Sequence, residues 1–326
     1  MPKSIYVDPN QMRKKGSITF KDIPLNQYDL TIEEEKKVYS KDDFLRIYRD
    51  MVFIREFETM LHTARTTASY KGLEYQYKGP AHLYLGEEAS AVGQAYVLDK
   101  EDYIFGSHRS HGEILAKGLS AIHKLDDKEL MGIMEDSLNG ETLKAVEGRQ
   151  NTNTVKELAI DFLIYGALAE IFGRKTGFAR GLGNSMHAFF IPFGIYPNNA
   201  IVGGSGPIAL GAGLYKKINK KNGIVVANIG DASLGCGPVW ESINMAAMGQ
   251  FKNLWEEGYN GGLPVLFNII NNHYGMGGQT SGETMAYDMV ARLGAGVNED
   301  QLHAERIDGY NPFAVIDAVK RKKKIL

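Results

Sequence analysis

A chain of 326 residues predicts an α/β fold around a mostly parallel sheet, on three observations in its second half. One short apolar run, Gly223 to Ile229, ends in Gly230-Asp231-Ala232. Another starts at Pro264 and ends in Asn271-Asn272-His273-Tyr274. Between them a helix is predicted from Pro238, because proline suits a first helical position and Trp240, Ile243 and Ala247 recur along one apolar face. Strand, helix, strand in that order implies a parallel pair.

The remaining elements follow in chain order. Residues 1 to 40 are polar and charged, with Pro2, Pro9 and Pro24, and read as an N-terminal arm that wraps a neighbour or lies disordered. Residues 41–326 read as one α/β domain. It opens at Ser40, or at Lys41-Asp42-Asp43, with a long amphipathic helix through Phe44, Ile47, Met51, Ile54, Phe57 and Leu61. Residues 120–165, with their Leu-Asp-Asp and Asn-rich turns, read as a helical insertion. The glycines of Gly203-Gly204-Ser205-Gly206-Pro207 and Gly211-Ala212-Gly213 do not make a dinucleotide fingerprint: no Gly-x-Gly-x-x-Gly opens a helix there, and Pro207 interrupts the run. They suit a helix that approaches a cofactor and a neighbouring subunit closely. Trp255 to Gly262 reads as a loop inserted before the second strand. Lys320 to Lys324 sit at a helix C-terminus, where cations favour the dipole, and are expected to do nothing else.

Composition excludes more than it assigns. A formal charge of −2 argues against nucleic acid or an anionic membrane as principal partner. No apolar run is long enough to span a bilayer, and no signal-peptide hydrophobic region follows Met1. The single cysteine, Cys236, rules out an intrachain disulfide framework, fits a reducing cytoplasm and reads as a small filler residue.

The chemistry gathers at the two strand ends. In a parallel βαβ unit ligands collect beyond the carboxyl ends of the strands. Magnesium there takes hard oxygen donors in octahedral geometry. Asp231 can supply a carboxylate, Asn272 an amide oxygen and Tyr274 a backbone carbonyl. Alone, each is more often a turn residue. Together in one unit they outline a cation site.

Three further motifs precede that unit: Gly79-Pro80-Ala81-His82-Leu83-Tyr84-Leu85-Gly86-Glu87-Glu88-Ala89, then Asp102 to Gly112 with Gly106-Ser107-His108-Arg109-Ser110-His111, then Gly181-Leu182-Gly183-Asn184-Ser185-Met186-His187. The ordered series, from about Asp42 to Val315, resembles the alpha chain, or alpha half, of the decarboxylating component of 2-oxo acid dehydrogenase complexes, the pyruvate, branched-chain 2-oxo acid and acetoin dehydrogenases. The resemblance implies a thiamine diphosphate-binding fold, with helices on both faces of a mostly parallel sheet, and thiamine diphosphate and Mg2+ as cofactors. By resemblance, Asp231, Asn272 and the Tyr274 carbonyl hold the metal. Arg109 pairs with the diphosphate, and His108 stands where the family usually has tyrosine. Gly230, Ala232 and Ser233 flank the same group. Ala200 and Val202 touch the aminopyrimidine ring through the backbone. His82 faces the substrate end as a catalytic residue, and His111 is a second one near the entrance.

The resemblance also implies partners: a beta subunit or fused beta half, a lipoyl-bearing acyltransferase component, a 2-oxo acid substrate, and a dimer of alpha–beta units. It implies a further strand and a histidine loop beyond Leu326, so the chain reads as part of a longer polypeptide. Ala200 and Ala232 replace family glycines, and the gap of residues 233 to 270 is longer than the family's. Two alternatives stay open, a transketolase-like carbon–carbon transferase and a non-catalytic cofactor-binding or assembly subunit.

Overall fold

The computed structural model describes residues 6–148, 152–286 and 288–326. Residues 1–5 of the arm and 149–151 of the 120–165 segment lie outside the described residues. Four strands make one parallel sheet: β1 (Tyr103–Phe105), β2 (Ile195–Tyr196), β3 (Val225–Gly230) and β4 (Val265–Ile270), in the order β2-β1-β3-β4. β3 and β4 run in register from Val225↔Val265 to Gly230↔Ile270, so their polar ends arrive side by side.

Side-chain alternation along the strands divides the interior into two cores. Ile104 of β1 and Val226 of β3 face one core. Phe105, Val225, Ala227 and Ile229 face the other. The first is closed by α1 (Lys41–Thr67), α2 (Glu88–Val97), α3 (His111–Lys124), α4 (Asp127–Asp136), α5 (Glu141–Val146), α6 (Val155–Ile171) and, near the chain end, Pro312–Ile325. The second is closed by α7 (Ser205–Ile218) and α8 (Gly237–Ala246). The sheet is thus covered on both faces, as strands that are apolar apart from the mutually bonded Asn228 and Asn268 require. The helix Pro312–Ile325 is α9.

Several elements keep their predicted chemistry. A capping box at Ser40 and Asp43 starts α1, and Ile47, Ile54, Phe57 and Leu61 are buried along it. On α8 Ile243 and the following Ala247 are buried as predicted, but Val239 takes the inner place at the start of the helix and Trp240 is 39% exposed. Its indole N–H donates to the Leu234 carbonyl at 2.8 Å, a polar handle that holds the ring at the rim.

Residue 120 falls within α3 and residue 165 within α6, and Leu130, Met134, Phe162 and Leu163 between them are fully buried in the first core. The arm is largely exposed but returns to the domain, where Asn26 N–H donates to the Arg306 carbonyl and Arg306 N–H to that of Pro24. The loop after α8 is pinned to the end of α7: Lys217 donates to the Gly261 carbonyl at 2.7 Å, and Lys220 lies 4.4 Å over the Tyr259 ring.

The C-terminal cations do more than oppose a dipole, which corrects their expected idleness. Arg321 makes a bidentate pair with Glu305, and Lys323 reaches buried Asp102 at 2.6 Å, tying α9 to the foot of β1. No helix among the described residues is long and apolar enough to cross a membrane. Among the described residues β4 is an edge strand. Along its unpaired side runs a cavity of about 650 Å³, lined by residues 266–273 and walled by Tyr28, Arg306, Val315 and Val319.

Candidate functional site

Four strand ends converge on one side of the sheet. Asp231 opens a 3-10 turn at the end of β3 and is 2% exposed, with Oδ2 accepting the Thr280 hydroxyl at 2.6 Å. Thr280 is delivered by a short hairpin, 274–275 with 278–279, that folds over the Asp231 turn. The hairpin explains how alanine is accommodated at 232: a Cβ on Gly275 would lie 3.0 Å from the Ala232 methyl, so glycine on one side makes room for alanine on the other. Neither Ala200 nor Ala232 has a positive φ, so neither position demands glycine for its torsions.

Beyond β4, Asn272 is held at both ends of its amide. Nδ2 donates to Glu87 Oε1 at 3.0 Å, and Oδ1 accepts the Tyr274 N–H at 3.0 Å. His273 turns the chain there with a φ of 65°, and the Tyr274 side chain is 71% exposed. Glu87 stands at the N-cap of α2. Burial pushes its carboxyl above the usual range; Asp231 and Glu88 push the same way, while the Asn272 bond and the Arg109 charge oppose them.

After β1 the loop Gly106 to Ser110 carries His108 and Arg109. Arg109 Nη1 donates to the Leu83 carbonyl at 3.0 Å, which joins this loop to the segment bearing His82. The His82 and His108 rings meet edge to face at 5.5 Å, and a Cβ on Gly230 would lie 3.8 Å from His108 Cε1. Partial burial, with the Arg109 charge and the His82 ring, pushes His108 down to about 4. Burial, then Arg109, lowers His82 in the same sense. Both rings are therefore most stable as neutral imidazoles beside the guanidinium.

Ala200 and Val202 lie exposed on the loop between β2 and α7. That loop meets the Asp231 turn at Gly203, where an added Cβ would contact Val239, Cys236 and the Ser233 carbonyl. Asp231, Ala232, Ser233, Asn272, Arg109, His108, His82 and Gly230 thus share one neighbourhood, bordered by Ala200 and Val202.

His111 does not stand near an entrance, and that expectation is corrected. It is 2% exposed at the start of α3, its Nδ1 on Glu58 Oε1 at 3.0 Å and its Nε2 on Ser185 Oγ at 2.8 Å. First-turn position and two buried polar partners draw the ring inward. The Gly181 to Gly183 motif wraps a carboxylate: buried Glu170 accepts the N–H groups of Ala179, Gly181 and Gly183 at 2.6–2.9 Å.

Three further residues carry site geometry. Glu87 lies in the Gly79–Ala89 motif, but nothing local marks it as the partner of Asn272. Thr280 carried no local signal. Glu113, 3% exposed, accepts both the N–H and the hydroxyl of Ser107 at 2.9 Å, and burial pushes it up to about 8. Among the described residues no group of three or more His, Cys, Asp or Glu could hold a metal by itself. What the site offers is one carboxylate, one amide oxygen and backbone, a hard set that leaves positions for anionic oxygens and water. That fits magnesium shared with a diphosphate.

Fold and site place the chain among parallel α/β proteins that gather ligand-binding groups beyond the carboxyl ends of their strands. The family described as "Dehydrogenase E1 component" matches residues 49–159 and 149–325, and the chain belongs to that family. It is 28% identical over 264 residues to the pyruvate dehydrogenase E1 component subunit alpha of Rickettsia bellii (strain RML369-C), covering 81% of this chain and 61% of that one. Over 254 residues it is 28% identical to the subunit of the same name from Rhizobium meliloti (strain 1021), covering 78% and 55%. To the mitochondrial one of Dictyostelium discoideum it is 27% identical over 286 residues, covering 88% and 57%. The chain spans about three fifths of the length of these relatives.

Proposed function

We propose that this chain is the diphosphate- and magnesium-binding half of a thiamine diphosphate-dependent 2-oxo acid dehydrogenase, active with a beta subunit or fused beta half. The observation that carries the reading is the pairing of Asp231 and Asn272 on register-matched strand ends, each oriented by a second side chain, Thr280 and Glu87.

Thiamine diphosphate, when bound, supplies the electron sink for loss of carbon dioxide from the 2-oxo acid, and acyl transfer to a lipoyl group completes the reaction. The chain's own residues bind and orient. Asp231, Asn272 and the Tyr274 carbonyl hold the cation, while Arg109 neutralises diphosphate oxygens with a planar donor fork. Gly230, Ala232 and Ser233 line the diphosphate, and backbone at Ala200 and Val202 borders the ring. His82, neutral at physiological pH, is placed to accept or return a proton at the substrate end. His108 occupies the neighbouring position without adding charge. His111 acts from behind, holding Glu58 and Ser185. The accommodation of both alanines weighs against a decayed, non-catalytic site.

Calorimetric titration of thiamine diphosphate with magnesium, into wild type and Asp231→Ala and with the beta partner present, tests the reading. Expected are metal-dependent binding lost in the variant and carbon dioxide release from a 2-oxo acid. Transfer from a ketose phosphate without that release would favour the transketolase-like alternative, and no binding by the assembled protein would sink both.

A further inference from the structure

Glu113 is a buried acid that the reading above does not use. It lies in the first turn of α3, and its two oxygens close on one residue: Oε2 accepts the Ser107 N–H and Oε1 the Ser107 hydroxyl, both at 2.9 Å. Ser107 Oγ in turn accepts the Arg109 N–H at 3.2 Å. Space for the carboxyl is provided by Gly106, where an added Cβ would lie 2.9 Å from Glu113 Oε2 and 2.6 Å from the Ser110 Cβ. Two more bonds hold the same five residues: Ser205 Oγ donates to the Gly106 carbonyl at 2.5 Å, and Asn198 Nδ2 to the Ser110 hydroxyl.

A carboxyl withdrawn from water is a costly way to fill core volume that an apolar side chain would fill without the desolvation penalty. What it provides here is direction. Ser107 has one N–H and one hydroxyl, and Glu113 takes both, so the Gly106–Ser107 peptide plane, whose carbonyl is held by Ser205, cannot turn without breaking the pair. We propose that Glu113 is a positioning residue, forming with Ser107 a buried clasp that fixes the Gly106–Ser110 loop and so the approach of Arg109 to the diphosphate. This rests on the diphosphate reading of Arg109. Preorganised donors of that kind are effective because they need no rearrangement when the anion arrives.

The test is a cycle of variants in the chain assembled with its beta partner, titrated with thiamine diphosphate at saturating magnesium and, separately, with magnesium pyrophosphate. Ser107→Ala and Glu113→Leu, which removes both polar atoms of the clasp, are each expected to weaken both ligands by roughly tenfold, the scale of supporting-residue substitutions at metal sites. The double variant should be no weaker than the worse single one. In an Arg109→Met background either change should have little further effect, which a merely structural role would not produce. Urea unfolding of Ser107→Ala, the milder change, separates binding loss from global destabilisation. Affinities within twofold of wild type, or losses that add fully to that of Arg109→Met, would overturn the clasp while leaving the cofactor reading intact. Failure of wild type to bind either ligand, with Asp231→Ala no different, would overturn the cofactor reading and the clasp with it.

Discussion

Replacing Thr280 by valine removes one hydroxyl and keeps the shape of the side chain. Thr280 is fully buried, and its 2.6 Å bond to Asp231 Oδ2 has the short length of a hydroxyl on an ionised carboxylate. A bond to a charged group contributes about 1.5–3 kcal/mol, and the carboxylate left behind is itself 2% exposed, so little water can take the donor's place. The expected loss of folding stability is therefore about 2 kcal/mol, at the scale set by such bonds. The hydroxyl also turns Oδ2 towards the hairpin and leaves Oδ1 for the strand ends. Without it the carboxylate can rotate, and magnesium-dependent binding of thiamine diphosphate should weaken by roughly 10–100-fold. Urea unfolding, read as a midpoint shift at constant slope, measures the first effect, and calorimetry the second. A variant that unfolds at the wild-type midpoint and binds with wild-type affinity would refute the claim that Thr280 orients Asp231.

Three more outcomes are expected. Asn228 joins α2 to β4 by accepting from Gln94 Nε2 at 2.9 Å and Asn268 Nδ2 at 2.8 Å; Asn228→Leu should cost about 1–3 kcal/mol for each partner left unsatisfied, and converting all three to leucine should recover most of that in urea unfolding. Glu113 has a folded pKa of about 8 against an ordinary 4.5, so between those values the folded chain keeps a proton that the unfolded chain has released. Its contribution to stability is complete below the ordinary value and is lost as pH rises through about 8, so Glu113→Gln should lose less stability than wild type between pH 6 and 9; parallel profiles would count against it. Trp255→Ser should leave cofactor affinity unchanged within twofold, because the 254–263 loop precedes β4 and lies roughly 20 Å from the polar ends, a strand's length. A larger change would put that loop at the site.

How far the sequence reached depended on how locally each feature is encoded. β3 and β4 were legible because each is an apolar run closed by polar residues, and Asp231 and Asn272 because they stand at those closures. The long helix from Ser40 was legible because its cap and its stripe are contiguous. β1 and β2, with three and two residues, carry too little alternation to read. Thr280 and Glu87 were silent for another reason: they meet Asp231 and Asn272 across 49 and 185 positions, through a hairpin and a helix start whose juxtaposition only folding creates. Lys323 looked like a solvated cation because its partner, Asp102, lies 221 positions away. Trp240 misled by type, since a large apolar ring with one N–H is as well suited to a rim as to a core.

The side of β4 left unpaired among the described residues sets a condition on the chain in solution. Val265-Leu266-Phe267-Asn268-Ile269-Ile270 carries no charge and no proline, and it offers its outer amides and carbonyls to any extended segment that reaches them. Another molecule of the same chain is the most abundant such segment wherever the protein is concentrated. Solubility of the isolated chain should accordingly be limited by strand-to-strand self-association, rising with concentration and little affected by salt. Lysine placed on β4 would suppress that self-pairing, as charge does at other sheet edges.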